Sequence, residues 1–267
     1  MQVKKGDFKM YNVNIIAHRG ANKRAPQNTL PAFQKAIEMG TDGFETDVHL
    51  SKDGVPVICH NYTIDETSNG TGKIEEMTLE QLKSYDFGSY YDPKFKDTTL
   101  PTLDEFLDLA VGKGLKVLNI ELKPEKDTAR RETLVRKTLE AVEARGLSDI
   151  LLISSFSPEI LEYIKQIDPN CKTAFLYPAG YVRAHLAFLP PFGLMSKLKC
   201  YAAHPHKLCI RGSFVKKAHK KGIQVNVWTV NESEDIRAMI TAGVDGIITD
   251  CPDRVRSILN EMNGYNE

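Results

Sequence analysis

The sequence predicts one α/β domain over residues 1–267, a (β/α)8 TIM barrel with a small insertion after its second strand. Three observations carry this. Short β-branched runs alternate with longer helical patterns from end to end, as where parallel strands are joined by crossover helices. The runs number eight. A length of 267 residues suits one such barrel and can bury a core without disulfide or metal staples.

Taken in order, strands are expected at residues 14–17, 43–48, 116–121, 150–154, 172–176, 201–203, 224–229 and 246–249. Helices are expected at 29–39, 102–111, 129–144, 158–167, 213–221, 233–241 and 252–260. Gly40, Gly146, Gly222 and Gly243 fall just past four of these helices, where a C-terminal stop favours glycine. Pro158 and Pro252 follow a Ser and a Cys at helix starts, where a missing N–H leaves no bond unmade. Two stretches break the alternation. Residues 55–91 hold a second apolar run at 55–59 and a Gly-rich stretch at 68–72, and read as an insertion over one barrel mouth. Residues 177–199 are aromatic and punctuated by Pro and Gly where a clean amphipathic helix would be expected. Residues 40–47 and 243–250 echo each other as a glycine, a strand and a closing acid. The shared grammar of barrel units accounts for that echo without a second active site.

Lys plus Arg and Asp plus Glu balance at 35 each, which argues against a general nucleic-acid binder. The basic pairs Lys216-Lys217 and Lys220-Lys221 read as the solvated face of a helix. The five cysteines (59, 171, 200, 209, 251) are scattered and form no C-x-x-C pair, as in a reducing compartment. The N-terminal residues contain no apolar signal-peptide core. No stretch has the apolar length of a membrane span; the most apolar window, 174–195, is broken by Arg183, His185 and Pro190-Pro191. A soluble cytoplasmic enzyme is the expectation.

In a barrel of this kind the working groups come from the C-terminal ends of the strands. Those positions are rich in polar groups here. Glu45 and Asp47, two apart on a strand, share a face. With Glu121 from the neighbouring strand they form an acidic trio that needs a cation. Oxygen donors with open positions suit one divalent ion, Mg2+ or Ca2+, better than zinc. His18 and His60 each close an apolar run and therefore sit at strand ends. Imidazole titrates near neutrality, so one can accept a proton from a nucleophile while the other donates to a leaving alkoxide. Arg19 and Lys123 bring positive charge for nonbridging phosphate oxygens. Together these describe phosphoryl transfer. His49, His204 and His206 lie near the same rim with less distinct roles; His185 and His219 read as structural or surface residues.

Several separated motifs in order carry a family resemblance. They are His18-Arg19-Gly20, then Ala25-Pro26-Gln27-Asn28-Thr29, then Gly43-Phe44-Glu45-Thr46-Asp47-Val48. Ser51-Lys52-Asp53-Gly54-Val55-Pro56-Val57, Glu121-Leu122-Lys123, Val227-Trp228-Thr229-Val230-Asn231 and residues 243–250 follow. From residue 14 to about 260 the chain resembles the glycerophosphodiester phosphodiesterases. The resemblance implies a (β/α)8 barrel that hydrolyses glycerophosphodiesters to sn-glycerol 3-phosphate and an alcohol. It implies His18 and His60 as the acid–base pair and Glu45, Asp47 and Glu121 as cation ligands. It also implies Arg19 and Lys123 as phosphate-binding residues, and Trp228 as a pocket wall. Gln27 stands where the family commonly has Glu, and Asn61 where it commonly has Asp. Each keeps shape and an acceptor oxygen but loses a charge.

Three other readings compete. A lysophospholipase D acting on lipids would share the site and use residues 175–194 as an apolar groove. A phosphodiester sensor without catalysis would be expected to lack a histidine or an acid of the trio, and none is missing. A sugar-phosphate isomerase or aldolase would be expected to show Gly-rich phosphate loops after strands seven and eight, which are absent here.

Overall fold

The computed structural model describes residues 10–180 and 191–265. Its barrel is built from β1 (Asn14–His18), β2 (Gly43–Leu50), β4 (Val117–Leu122), β5 (Leu151–Ser155), β6 (Thr173–Tyr177), β7 (Ala202–Pro205), β8 (Gln224–Val227) and β9 (Gly246–Thr249). Neighbours pair in parallel, and β1 bonds both β2 and β9, so the ring closes. β3 (Pro56–Ile58) lies outside the ring, antiparallel to β2. Helices α1 (Leu30–Glu38), α2 (Leu79–Lys83), α3 (Leu103–Ala110), α4 (Thr128–Glu143) and α5 (Pro158–Ile167) are followed by α6 (Phe192–Lys197), α7 (Phe214–His219), α8 (Ser233–Ala242) and α9 (Pro252–Met262).

The twofold alternation of strand side chains sorts the core into two layers. Ile15, Phe44, Leu118, Ile120 and Ile153 point outward and are buried against the helices. Leu152, Ala174 and Ala202, with Val117, fill the lower interior of the barrel. Phe33 of α1, Phe44 of β2 and Phe106 of α3 interlock with ring centroids 4.5 to 5.8 Å apart. At the N-terminal end of the ring, Gly43 has no room for a side chain, since a Cβ there would lie 2.2 Å from the Val117 carbonyl oxygen. Beneath it Asp42 accepts from the Ile15 amide at 3.1 Å and pairs with Lys116 at 2.8 Å and Arg256 at 2.9 Å.

The helix stops and starts follow their sequence signals. Ser157 accepts from the Ile160 amide before Pro158, and Gly243 ends α8 in the left-handed region at φ 80°. The insertion is larger than its sequence signal. Val57, Ile64, Ile74, Leu82, Phe87 and Leu100 form a core separate from that of the barrel. It therefore reaches past residue 91 to α3, and Val57 bridges to Thr102 at that helix's N-cap. β8 stops at Val227, short of the expected 229, and Trp228 continues only as an isolated bridge to His206. Of the aromatic stretch 177–199, residues 181–190 lie outside the described residues. No described helix is long and apolar enough to cross a membrane, and all five cysteines are free.

Candidate active site

Register brings the polar strand ends together. In the parallel pairings His18 lies beside Glu45, Glu45 beside Asn119, and Asp47 beside Glu121. Residues paired in this way point to the same side, which at this end of the barrel is the interior. One carboxylate oxygen from each of Glu45, Asp47 and Glu121 lies within 4.8 Å of the others, and all three residues are buried.

Their electrostatics differ. Burial, reinforced by Asp47 and Glu121, raises the Glu45 carboxyl well above the usual range. Burial likewise pushes Glu121 up to about 7, against the opposing charge of Lys123. Burial also disfavours ionisation of Asp47, but Lys123 and Arg19 outweigh it and hold that carboxyl well below the usual range. Lys123 Nζ sits 2.6 Å from Asp47 Oδ1 and 2.6 Å from Glu121 Oε1. Arg19 Nε lies 3.3 Å from Asp47 Oδ2, while its Nη1 donates to Gln27 Oε1 at 2.6 Å. Asn28 Nδ2 adds a bond to Asp47 Oδ2 at 2.9 Å. Arg19 and Asn28 both adopt left-handed backbone conformations, φ 55° and 56°, unusual for residues other than glycine. The Arg19–Asn28 backbone bond of 2.9 Å closes the loop that holds them there. Two of the three acids hold protons readily when no cation is near, and all three offer hard oxygen donors, so the trio fits a divalent ion such as Mg2+ or Ca2+.

The two histidines are held differently. His18 Nδ1 donates to Asp250 Oδ1 at 2.6 Å, leaving Nε2 4.0 Å from Glu45 Oε2. Asp250 also accepts from Asn22 Nδ2 at 2.7 Å and Asn231 Nδ2 at 2.6 Å. Burial would raise the Asp250 carboxyl, yet these bonds and the His18 ring draw it down to about 2. His60 Nδ1 lies 2.6 Å from Asn61 Oδ1. Burial lowers the His60 imidazole to about 4, only partly countered by Asp47. His60 reaches the site because the Cys59 amide bonds the Asp47 carbonyl at 3.1 Å, where β3 folds back over β2.

The pocket between them encloses about 370 Å3, counting its open mouth. His18, Arg19, Glu45, His60, Asn119 and Glu121 form its polar wall, and Phe156, Leu176, Trp228 and Ile248 its apolar one. Trp228 is fixed by donating from Nε1 to the His204 carbonyl at 2.7 Å, with Phe156 edge-on at 5.9 Å. One side of this cavity suits an anion and a cation, the other a small carbon skeleton.

All eight residues singled out in the sequence meet here: six line the pocket, and Asp47 and Lys123 adjoin them through ion pairs with Arg19 and Glu121. His49 is buried against Tyr62, His204 lies inside the barrel beside Asn226, and His206 packs edge-on to Trp228. His219 pairs with Asp245 at 2.8 Å, away from the site, and His185 falls outside the described residues. Sequence reasoning missed Asp250, Asn119 and Phe156. Asp250 was visible as the acid closing the 243–250 echo, which does more than repeat a unit, because it carries the carboxylate that orients His18. Asn119 was visible as the residue two positions before Glu121, on the same inward face of its strand.

Comparison with known proteins follows the same lines. The model of the glycerophosphoryl diester phosphodiesterase family matches residues 18–254. A glycerophosphodiester phosphodiesterase of Caldanaerobacter subterraneus is 36% identical over 247 residues, covering 92% of this chain and 98% of that protein. A Bacillus altitudinis protein of the same name is 32% identical, covering 93% and 98%. Among solved structures, an Oleispira antarctica phosphodiesterase in complex with the product sn-glycerol 3-phosphate superposes with a TM-score of 0.84. It is 29% identical, over 92% of this chain and 96% of that one.

Proposed function

This chain belongs to the glycerophosphoryl diester phosphodiesterase family, and from that premise we propose that it hydrolyses glycerophosphodiesters to sn-glycerol 3-phosphate and an alcohol. The reaction depends on a divalent cation and on His18 and His60. One observation carries the reading: two imidazoles and the carboxylates Glu45 and Glu121 line a single pocket. The product-bound Oleispira structure supports the choice of substrate.

The roles follow from the partners. Glu45, Asp47 and Glu121 hold the cation, Mg2+ or Ca2+, which when bound neutralises charge on the phosphoryl oxygens. Arg19, whose side chain borders the pocket, binds a nonbridging oxygen. Lys123 keeps Asp47 ionised and shares in neutralising the phosphate. Each histidine has Nδ1 engaged and Nε2 left for proton transfer. The Asp250 carboxylate stabilises a proton on the His18 ring, which makes His18 the better base. The neutral Asn61 amide leaves a protonated His60 the readier donor to the departing alkoxide. Trp228 and Phe156 pack against the glycerol carbons.

The test is a panel of glycerophosphodiesters assayed for glycerol 3-phosphate with Mg2+, Ca2+, Mn2+ or chelator. Product should form only with a divalent cation and should fall at least about 100-fold in His18→Ala and in His60→Ala. Protons compete with the cation at Glu121, raised to about 7, so the cation concentration needed should grow as pH falls through neutrality. Undiminished turnover with chelator, or in either variant, would remove the mechanism. A lysophospholipid beside glycerophosphocholine in the same panel decides the lipid alternative, whose supporting segment falls partly outside the described residues. Absence of all turnover would favour a sensor.

A further inference from the structure

Asn61 does not stand alone behind His60. Its Oδ1 lies 2.6 Å from His60 Nδ1, and its Nδ2 donates to Glu66 Oε2 at 2.8 Å. A side-chain amide has a donor end and an acceptor end of nearly the same shape, and can present either one to the ring. The end presented decides which ring nitrogen carries the proton. An oxygen requires a proton on Nδ1 and leaves Nε2 bare toward the pocket; an NH2 group requires the reverse. An aspartate at this position would settle the matter alone, because an ionised carboxylate only accepts. Asparagine needs a second group to choose for it.

We propose that Glu66 is a positioning residue for His60, acting through Asn61: its carboxylate accepts from Nδ2, turns Oδ1 to the ring and so fixes the imidazole as the Nδ1–H tautomer. The proposal rests on the reading of His60 as an acid–base residue. The same orientation serves both halves of a proton transfer. With Oδ1 facing it, the ring can bear a proton on each nitrogen, and after losing the one on Nε2 it is left in the tautomer that can regain it. A flipped amide would oppose the charged ring. Glu66 itself is exposed, but its backbone is anchored. Ile64 and Thr67 on either side are buried, and the Ile64 amide bonds the Gly72 carbonyl at 3.0 Å. The acceptor stands five residues beyond the amide in the same loop.

The experiment is NMR of the full chain with 15N-labelled histidine, in Mg2+, taking the His60 signals as those lost in His60→Gln. The parent should show a protonated Nδ1 and a bare Nε2. Glu66→Leu should give a mixture of tautomers and lower kcat about fivefold, with KM changed less than about twofold. Glu66→Gln, whose amide can face Asn61 with either end and so imposes no choice, should also give a mixture of tautomers. In Asn61→Asp/Glu66→Leu the carboxylate at 61 should restore it, which a merely structural role for Glu66 would not produce. An unchanged His60 ring in Glu66→Leu, or failure of the double variant to restore the parent tautomer, overturns the proposal. Should His60→Gln turn over like the parent while Glu66→Leu still shifts the tautomer, the acid–base reading falls and the orientation stands.

Discussion

His18 and Asp250 are 232 positions apart and 2.6 Å from each other. Their pairing shows where reading single residues stops. The acids Glu45 and Asp47 could be placed on one face from a spacing of two, because strand geometry alone dictates it. Glu121 followed as the matching acid of the next long strand. Asp250 met His18 only because β9 closes the ring against β1, and no local spacing announces a closure of that kind. The consequence at this scale is specific. Asp250→Asn removes the charge that stabilises a proton on His18 and lets the new amide present either end to the ring. It should lower kcat by about 100-fold or more while leaving the fold intact. The measurement is steady-state kinetics beside a circular dichroism spectrum; a kcat close to the parent's would deny His18 its carboxylate-assisted role.

Among the elements, those with long periodic patterns or end signals were legible. α4 with its sixteen residues and α5 with Ser157 and Pro158 at its start stand close to their expected limits. α2, five residues long, is too short to display a period, although its Thr78–Gln81 capping box is present in the structure. β8 stops early although Trp228 keeps backbone bonds to Pro205 and Lys207, and its side chain turns to the pocket wall, a placement that β propensity does not register. On β2 and β4, Gly43 faces Val117. A methyl group at Gly43 would contact the Val117 carbonyl oxygen at 2.2 Å, so one strand would have to move. Gly43→Ala should therefore cost about 2 kcal/mol or more and lower the melting temperature by several degrees. Thermal unfolding followed by circular dichroism reads it directly, and a melt matching the parent's would show that the strands can part without loss.

At the level of the whole molecule, the barrel was predictable because eight alternating units leave few other ways to bury both faces of a parallel sheet. The extent of the insertion was not, because its apolar residues are spread over short turns with no common period. Yet that insertion holds one member of the histidine pair, together with Asn61 and Glu66, over its own small core. The other member, with the three acids, belongs to the ring. Small cores of short elements are expected to open at lower cost than a closed sheet. In graded urea, turnover should vanish at a concentration where the far-ultraviolet signal of the ring is still intact, and removing the urea quickly should bring it back. Coincident loss of both signals would mean the two parts melt as one. With half of the proposed site on a cover that lifts while the vessel beneath stays whole, heat or denaturant would silence such a protein long before destroying it.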